Sequence, residues 1–140
     1  GWPLLRHSRQ QIPAADQSLL LGDTLGELSD FYAAADIVSV GGSFVPIGGH
    51  NLLEAAALGK PVSFGPHMHN FQEISAQILD AQAGVQAQDA AALHDSLAQW
   101  LEHPQDAIAT GARGKQVVAR NRGALERTLA VLPPLQENPL

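Results

Sequence analysis

Gly41-Gly42-Ser43-Phe44-Val45-Pro46-Ile47-Gly48-Gly49-His50-Asn51 stands between a short apolar run, Ile37 to Val40, and a helical pattern carrying Leu52, Leu53, Ala56 and Ala57. Backbone without Cβ atoms can come close to a ligand. The helix that follows presents unpaired N–H groups and the positive end of its dipole, a combination that favours a phosphate. The spacing is neither a Walker pattern nor GxGxxG, so a tight strand-to-helix turn is an equally good account of the glycines taken alone.

Around this stretch, apolar runs alternate with helix-sized segments. Ser18 to Leu21, Ile37 to Val40, Pro61 to Phe64 and, more weakly, Gly84 to Gln86 are short, rich in Val, Ile or Leu, and do not alternate with polar residues. That is the pattern of parallel strands covered on both faces. The expected fold class is α/β, a layered parallel sheet. The segment before Ser18, with Pro3 and Pro13, reads as irregular.

A small polar residue followed three positions later by Glu occurs at Thr24 with Glu27, Asn51 with Glu54 and Asn70 with Glu73, which predicts three helices opened by capping boxes. Leu25, Leu28, Phe31 or Tyr32, and Ala35 form the apolar stripe of the first. Gly59 ends the second, and Phe71, Ile74, Ile78 and Leu79 stripe the third. Asp89 is placed to cap a helix burying Leu93, Leu97, Trp100 and Leu101. Pro104 opens another, and a last helix is expected from near Gly123 to Pro133.

Composition narrows the function. With 140 residues, 45% hydrophobic and 16% charged, the chain suits one globular domain. Its net charge of -6 and eight scattered Lys and Arg provide no basic stripe, so nucleic acid is not an expected partner. With no cysteine there is no disulfide, thiolate zinc site or cysteine nucleophile. The apolar run near Ala55 to Leu58 is far shorter than the roughly 20 residues that span a bilayer.

Several residues carry two readings each. Glu54, one turn into its helix, could accept hydrogen bonds from two sugar hydroxyls, as acidic residues do for ribose, or it could complete the capping box with Asn51. Gly22-Asp23-Thr24-Leu25-Gly26-Glu27 is a second strand-end loop, able to face a ligand or simply to cap a helix, with Asp23 as a partner of the helix dipole. His67 and His69 make a His-x-His pair without a carboxylate at companion spacing, so no metal is expected there. No Ser-His-Asp set or acid-base carboxylate pair can be picked, and Trp2 and Trp100 read as packing.

Taken in order, Gly22 to Leu28, Phe31-Tyr32-Ala33-Ala34-Ala35-Asp36, Val40-Gly41-Gly42-Ser43, Gly48-Gly49-His50-Asn51-Leu52-Leu53-Glu54, and Gly65-Pro66 with Asn70-Phe71 resemble one family. It is the C-terminal domain of the 3-deoxy-D-manno-octulosonic acid (Kdo) transferases of lipopolysaccharide synthesis. The resemblance runs from about Arg6 to Asn121-Arg122-Gly123-Ala124-Leu125.

It implies the C-terminal half of a GT-B fold, a Rossmann-like three-layer parallel sheet, N-terminally truncated, with residues 1–140 forming part of a domain that binds CMP-Kdo. By position, Thr24, Leu25 and Gly26 would lie by the cytosine. Gly41, Gly42 and Ser43 would line the cleft, Gly48, Gly49, His50, Asn51 and Leu52 would offer N–H groups to the phosphate, and Glu54 would hold the ribose hydroxyls. Transfer to a lipid A precursor, with inversion and with CMP-Kdo as donor substrate rather than any cofactor, would need a preceding N-terminal domain that carries the catalytic acid and a membrane-anchoring segment. No catalytic residue is then assigned within this chain, which alone would be soluble and inactive. The intact protein would sit at the cytoplasmic face of the bacterial inner membrane. Ala55 departs from the family's usual Pro without disturbing the loop or Glu54. The alternatives are a GT-B transferase or epimerase using a UDP-sugar, and a non-catalytic interaction module whose glycine loops are merely turns.

Overall fold

The computed structural model describes residues 3–11 and 19–131, with side-chain surroundings given as far as residue 123. These residues form two compact units, 1–35 and 36–140.

In the first unit, β1 (Leu4–Arg6) pairs in parallel with β2 (Leu19–Leu21), Leu5 opposite Leu20, and α1 spans Leu28–Ala34. The strand at Leu4 lies in a segment whose prolines read as irregular. A three-residue strand leaves no periodicity to detect, and its pairing partner is distant in sequence.

In the second unit, β3 (Val38–Val40), β4 (Val62–Phe64) and β5 (Gly84–Gln86) form a parallel sheet in that spatial order. The connections are α2 (Leu53–Ala57) and α3 (Gln72–Asp80). After β5 come α4 (Ala90–Glu102) and α5 (Pro104–Val131). The α/β class and the parallel strands expected from the apolar runs are thus found. All of β4 is buried, as a central parallel strand covered on both faces must be. Val62, Phe64, Leu52 and Ile78 have no exposed surface, and Trp100 and Val117 add to the same core. Each large apolar side chain removed from water in this way contributes about 1.5–3 kcal/mol.

The helix starts differ from those the capping boxes predict. Helix α1 begins only at Leu28, because Gly26, at φ +85°, turns the chain between Thr24 and the helix. The Thr24 hydroxyl consequently caps nothing, and Leu25, expected on the buried stripe, is fully exposed. Asp23, expected to sit against the helix dipole, instead accepts hydrogen bonds from the Ser8 N–H (2.9 Å) and hydroxyl (2.8 Å). At α3, Asn70 is engaged with Gly48 rather than with the helix, and Glu73 pairs with Gln77. Asp89 does cap α4, accepting the Ala92 N–H at 2.8 Å, and Pro104 does open α5.

The expected last helix near Gly123 is not a separate element: α5 runs unbroken from Pro104 to Val131, about 42 Å at 1.5 Å per residue. Glycine inside a helix costs about 1 kcal/mol relative to alanine, but two of these glycines permit close packing on α2. A Cβ at Gly111 would stand 1.9 Å from the Gly59 carbonyl oxygen, and one at Gly114 would stand 3.2 Å from the Ala56 Cβ. Trp2 and the proposed stop at Pro133 lie outside the described residues.

Candidate functional site

The carboxyl ends of parallel strands are where open α/β sheets present ligand crevices, and in the second unit two loops meet there, 41–52 after β3 and 65–71 after β4. Their contact explains most of the glycines. A Cβ at Gly42 would stand 2.3 Å from the His50 ring, one at Gly48 would stand 2.0 Å from the Asn70 carboxamide nitrogen, and one at Gly49 would stand 2.4 Å from Met68 Sδ. Gly48 and Gly49 also adopt φ of +102° and +80°, which a side chain would oppose. The close approach that Gly48 and Gly49 permit is therefore of one loop to the other, while Gly42 makes room for the His50 ring of its own loop. Gly41 differs: its Cβ position is open, and it is exposed.

Ser43 is fully buried, and its hydroxyl donates to the Val40 carbonyl and accepts the Gly65 N–H at 2.6 Å. Its carbonyl also accepts the His67 N–H at 2.9 Å. The expectation that Ser43 lines a cleft is corrected accordingly: with no surface and both hydroxyl functions used internally, it clamps the two loops together. Asn70 adds a second tie, its N–H donating to the Gly48 carbonyl at 3.2 Å.

Held in this way, residues 48–52 present something uncommon. Among the described residues, the backbone N–H groups of Gly48, Gly49, His50, Asn51 and Leu52 find no protein acceptor, although Gly48, Gly49 and Leu52 are buried. Nearly all buried N–H groups in folded proteins are paired, so a run without acceptors is a place where an anion is favoured. The Leu52 side chain is wholly in the core, which leaves only its backbone to face a ligand. Helix α2 is just five residues long, so the unpaired N–H groups, rather than a macrodipole, carry the attraction.

Asn51 Oδ1 accepts the Leu53 N–H at 3.0 Å, but the reciprocal half of the capping box is not formed. The exposed Glu54 carboxylate has no hydrogen-bond or ion-pair partner among the described residues. His50 is exposed with its ring against Gly42.

Thr24, Leu25 and Gly26 belong to the first unit. Among the described residues the Thr24 hydroxyl is buried without a hydrogen-bond partner; Leu25 is exposed, and the Cβ position of Gly26 is open. In the same unit, Arg6 approaches Asp23 at 3.3 Å, and His7 Nε2 lies 3.4 Å from Glu27. Two hydrogen bonds from Ser8, its N–H first, hold the Asp23 carboxyl below its ordinary range.

Among the described residues no group of three or more His, Cys, Asp or Glu is arranged to hold a metal ion, His67 and His69 included. No helix of the described residues is long and apolar enough to cross a membrane. Reading the sequence did not single out Gln86, whose Nε2 donates to the Gly65 carbonyl at 3.3 Å. Its place as the last residue of a parallel strand was the signal that could have found it.

No protein-family model matches the chain. It is 42% identical over 120 residues to the 3-deoxy-D-manno-octulosonic acid transferase of Bordetella pertussis, covering 86% of this chain and 28% of that relative. It is 37% identical over 134 residues to the enzyme of the same name from Haemophilus influenzae, covering 95% of this chain and 31% of the relative. The chain belongs to the Kdo transferase family. It spans somewhat under a third of the length of these Kdo transferases. The solved C-terminal CMP-Kdo binding domain of WaaA from Acinetobacter baumannii superposes on it with a TM-score of 0.78 at 35% identity, covering 82% of this chain and 60% of that one. The parallel α/β architecture is therefore that of a Rossmann-like C-terminal domain of the Kdo transferase family.

Proposed function

We propose that this chain is the donor-binding part of an inverting glycosyltransferase that takes Kdo from CMP-Kdo and places it on a lipid A precursor. The observation that carries this reading is the run of unpaired N–H groups from Gly48 to Leu52, at the carboxyl end of β3. The names of the relatives, and the CMP-Kdo binding ascribed to the superposed domain, support it.

In this reading the N–H run receives the donor phosphate and stabilises the charge that develops on CMP as the glycosidic bond breaks, a task that preorganised dipoles perform without reorganising. Glu54, free of a capping role, accepts hydrogen bonds from the ribose hydroxyls. Gly41 lets the ligand come close to backbone. Deprotonation of the acceptor hydroxyl and contact with the lipid and the inner membrane fall to parts of the intact protein outside these residues, and the donor is a substrate that needs no separate cofactor.

The test is a titration of the isotope-labelled chain with CMP and, separately, UMP, following the amide signals of Gly41, Gly48, Gly49 and Asn51. Saturable shifts with CMP, weaker with UMP and reduced about tenfold in affinity by Glu54→Gln, are expected, since a hydrogen bond to a charged group contributes about 1.5–3 kcal/mol. Preference for UMP would point to a UDP-sugar enzyme. Silence with both nucleotides, in a folded chain, would leave the glycine loops as turns.

A further inference from the structure

Charge is unevenly placed along this chain. Between Ala107 and Leu125 stand four of its eight Lys and Arg and no Asp or Glu, although the net charge is -6. All four lie on α5. Two are engaged elsewhere: Arg113 donates to the Gln82 carbonyl at 2.7 Å and to the Thr110 hydroxyl at 2.9 Å, and Arg120 lines a cavity against α3 that also holds Asp80. Lys115 and Arg122 have no hydrogen-bond or ion-pair partner among the described residues.

These two line a cavity of about 530 Å³ between α2 and α5, with Ala57, Val118, Ala119 and Gly123 as the rest of its wall. No carboxylate and no other polar side chain stands on that wall. Two helical turns, roughly 10 Å along α5, separate the cations, with Val118 and Ala119 as the floor between them. Both side chains are long enough to reach one group bound over that floor. Packing fixes them relative to α2. The Lys115 stem lies over Gly59, with Cε 2.6 Å and Nζ 3.3 Å from where a Cβ on Gly59 would stand. The cavity is thus at the far end of α2 from the Gly48 to Leu52 run, and it shares no residue with the loops after β3 and β4.

Lysine supplies a point charge and arginine a planar fork of donors that fits phosphate oxygens in pairs. A phosphate monoester carries close to two negative charges, matching the two cations. In sequence one carboxylate follows, Glu126, on the next turn of α5 after Arg122. An exposed pair at that spacing is weak, and weaker with the cation N-terminal to the acid, so it does not withhold Arg122 from a dianion.

We infer that Lys115 and Arg122 form a binding site for a phosphate monoester group, carried by a soluble ester or by a lipid headgroup. The inference does not depend on the donor reading above.

The test titrates the labelled chain with inorganic phosphate and, separately, with phosphatidylcholine vesicles that contain or lack phosphatidic acid. It is run on the native sequence, Lys115→Gln, Arg122→Gln and, as a control, Arg120→Gln. Saturable phosphate shifts are expected at Ala57, Val118, Ala119 and Gly123, with Kd raised about fivefold by Lys115→Gln and by Arg122→Gln and unchanged in the control. Phosphate shifts at Gly48 to Leu52, which the donor reading expects, persist in every variant, so the two sites are read separately. All three substituted side chains are exposed, and unchanged core amide signals report that the fold survives. Phosphate shifts without any preference for phosphatidic acid vesicles identify a soluble ester. Sedimentation with those vesicles alone, lost in the Lys115 and Arg122 variants, identifies a lipid headgroup. The inference is wrong if neither probe binds at these residues, if binding survives both substitutions, or if Arg120→Gln weakens it as much as they do.

Discussion

The Ser43 hydroxyl accepts the Gly65 N–H at 2.6 Å while donating to the Val40 carbonyl, so one buried side chain joins the end of β3 to the end of β4. Ser43→Ala removes the acceptor and leaves a buried N–H unpaired, which costs about 1–3 kcal/mol. Urea denaturation should show a lower midpoint with an unchanged slope. An unchanged midpoint would mean that water replaces the hydroxyl and that the clamp is not needed.

Gly41 and Gly49 sit in one loop and should answer alanine substitution in opposite ways. At Gly49, φ is +80° and a Cβ meets Met68 Sδ at 2.4 Å, so Gly49→Ala adds backbone strain to overpacking of about 1–3 kcal/mol. At Gly41 the Cβ position is open, so Gly41→Ala should melt within a few degrees of the native chain yet weaken CMP binding. A Gly41→Ala chain with native CMP affinity would remove that residue from the ligand's path.

Asp89 and Thr24 separate a cap that forms from one that only looks right in sequence. Asp89→Ala should cost about 1 kcal/mol, the usual loss when a side-chain N-cap is removed. Thr24→Val should cost nothing or stabilise slightly, because the Thr24 hydroxyl is buried without a partner and its replacement is isosteric. Thermal melts of the two variants side by side decide the matter; equal losses would restore Thr24 as a cap.

That contrast marks where the sequence was legible. The strand β4 was readable because a parallel strand covered on both faces is largely apolar, as Val62 and Phe64 are, whereas β2 was found as a run of leucines although each is exposed. Asp89 was readable because its hydrogen bond is local. Asn70 was misread because a distant residue, Gly48, competes for the same side chain and backbone, and no local pattern records that competition. Glycine density located the loop after β3 correctly, but the reason for Gly42, Gly48 and Gly49 lies in His50, Asn70 and Met68, which only the packed loops reveal. The unpaired N–H run and the free Glu54 carboxylate follow from the same packing, and neither could be separated from a capped helix in the sequence alone.

Asp23 gives the first unit an acid limit. Its folded pKa lies below the ordinary 3.8, chiefly through the Ser8 N–H and hydroxyl, with Arg6 contributing less. A group shifted in this direction adds stability above its unfolded pKa, and that contribution disappears as pH falls from 3.8 through the lower folded value. The Ser8 amide shift, followed from pH 6 downward, should therefore titrate with a midpoint below 3.8, and Asp23→Asn should abolish the transition. A midpoint at or above 3.8 would contradict the hydrogen-bonded geometry.

Gly111 tests whether α5 is positioned by packing or by its own helical preference. Replacing a mid-helix glycine with alanine stabilises an isolated helix by about 1 kcal/mol. Here the new Cβ would stand 1.9 Å from the Gly59 carbonyl oxygen, which belongs to backbone and cannot swing aside as a long side chain could. That carbonyl lies in the turn that closes α2, where the Gly59 N–H bonds to Ala56 and the Lys60 N–H to Ala55. Helix α5 must then move off α2, uncovering Ala55 and Ala56, so Gly111→Ala should be destabilising on balance. Gly114→Ala, whose Cβ would meet Ala56 Cβ at 3.2 Å, asks for a shift of only a few tenths of an ångström and should cost much less. Because α2 follows directly on the loop that carries Gly48 to Leu52, the Gly111→Ala chain should also bind CMP more weakly, without any change at a residue that touches the ligand. A Gly111→Ala chain that melts higher than native would show that the helix tolerates the displacement and that the α2–α5 contact does not set the position of the loop.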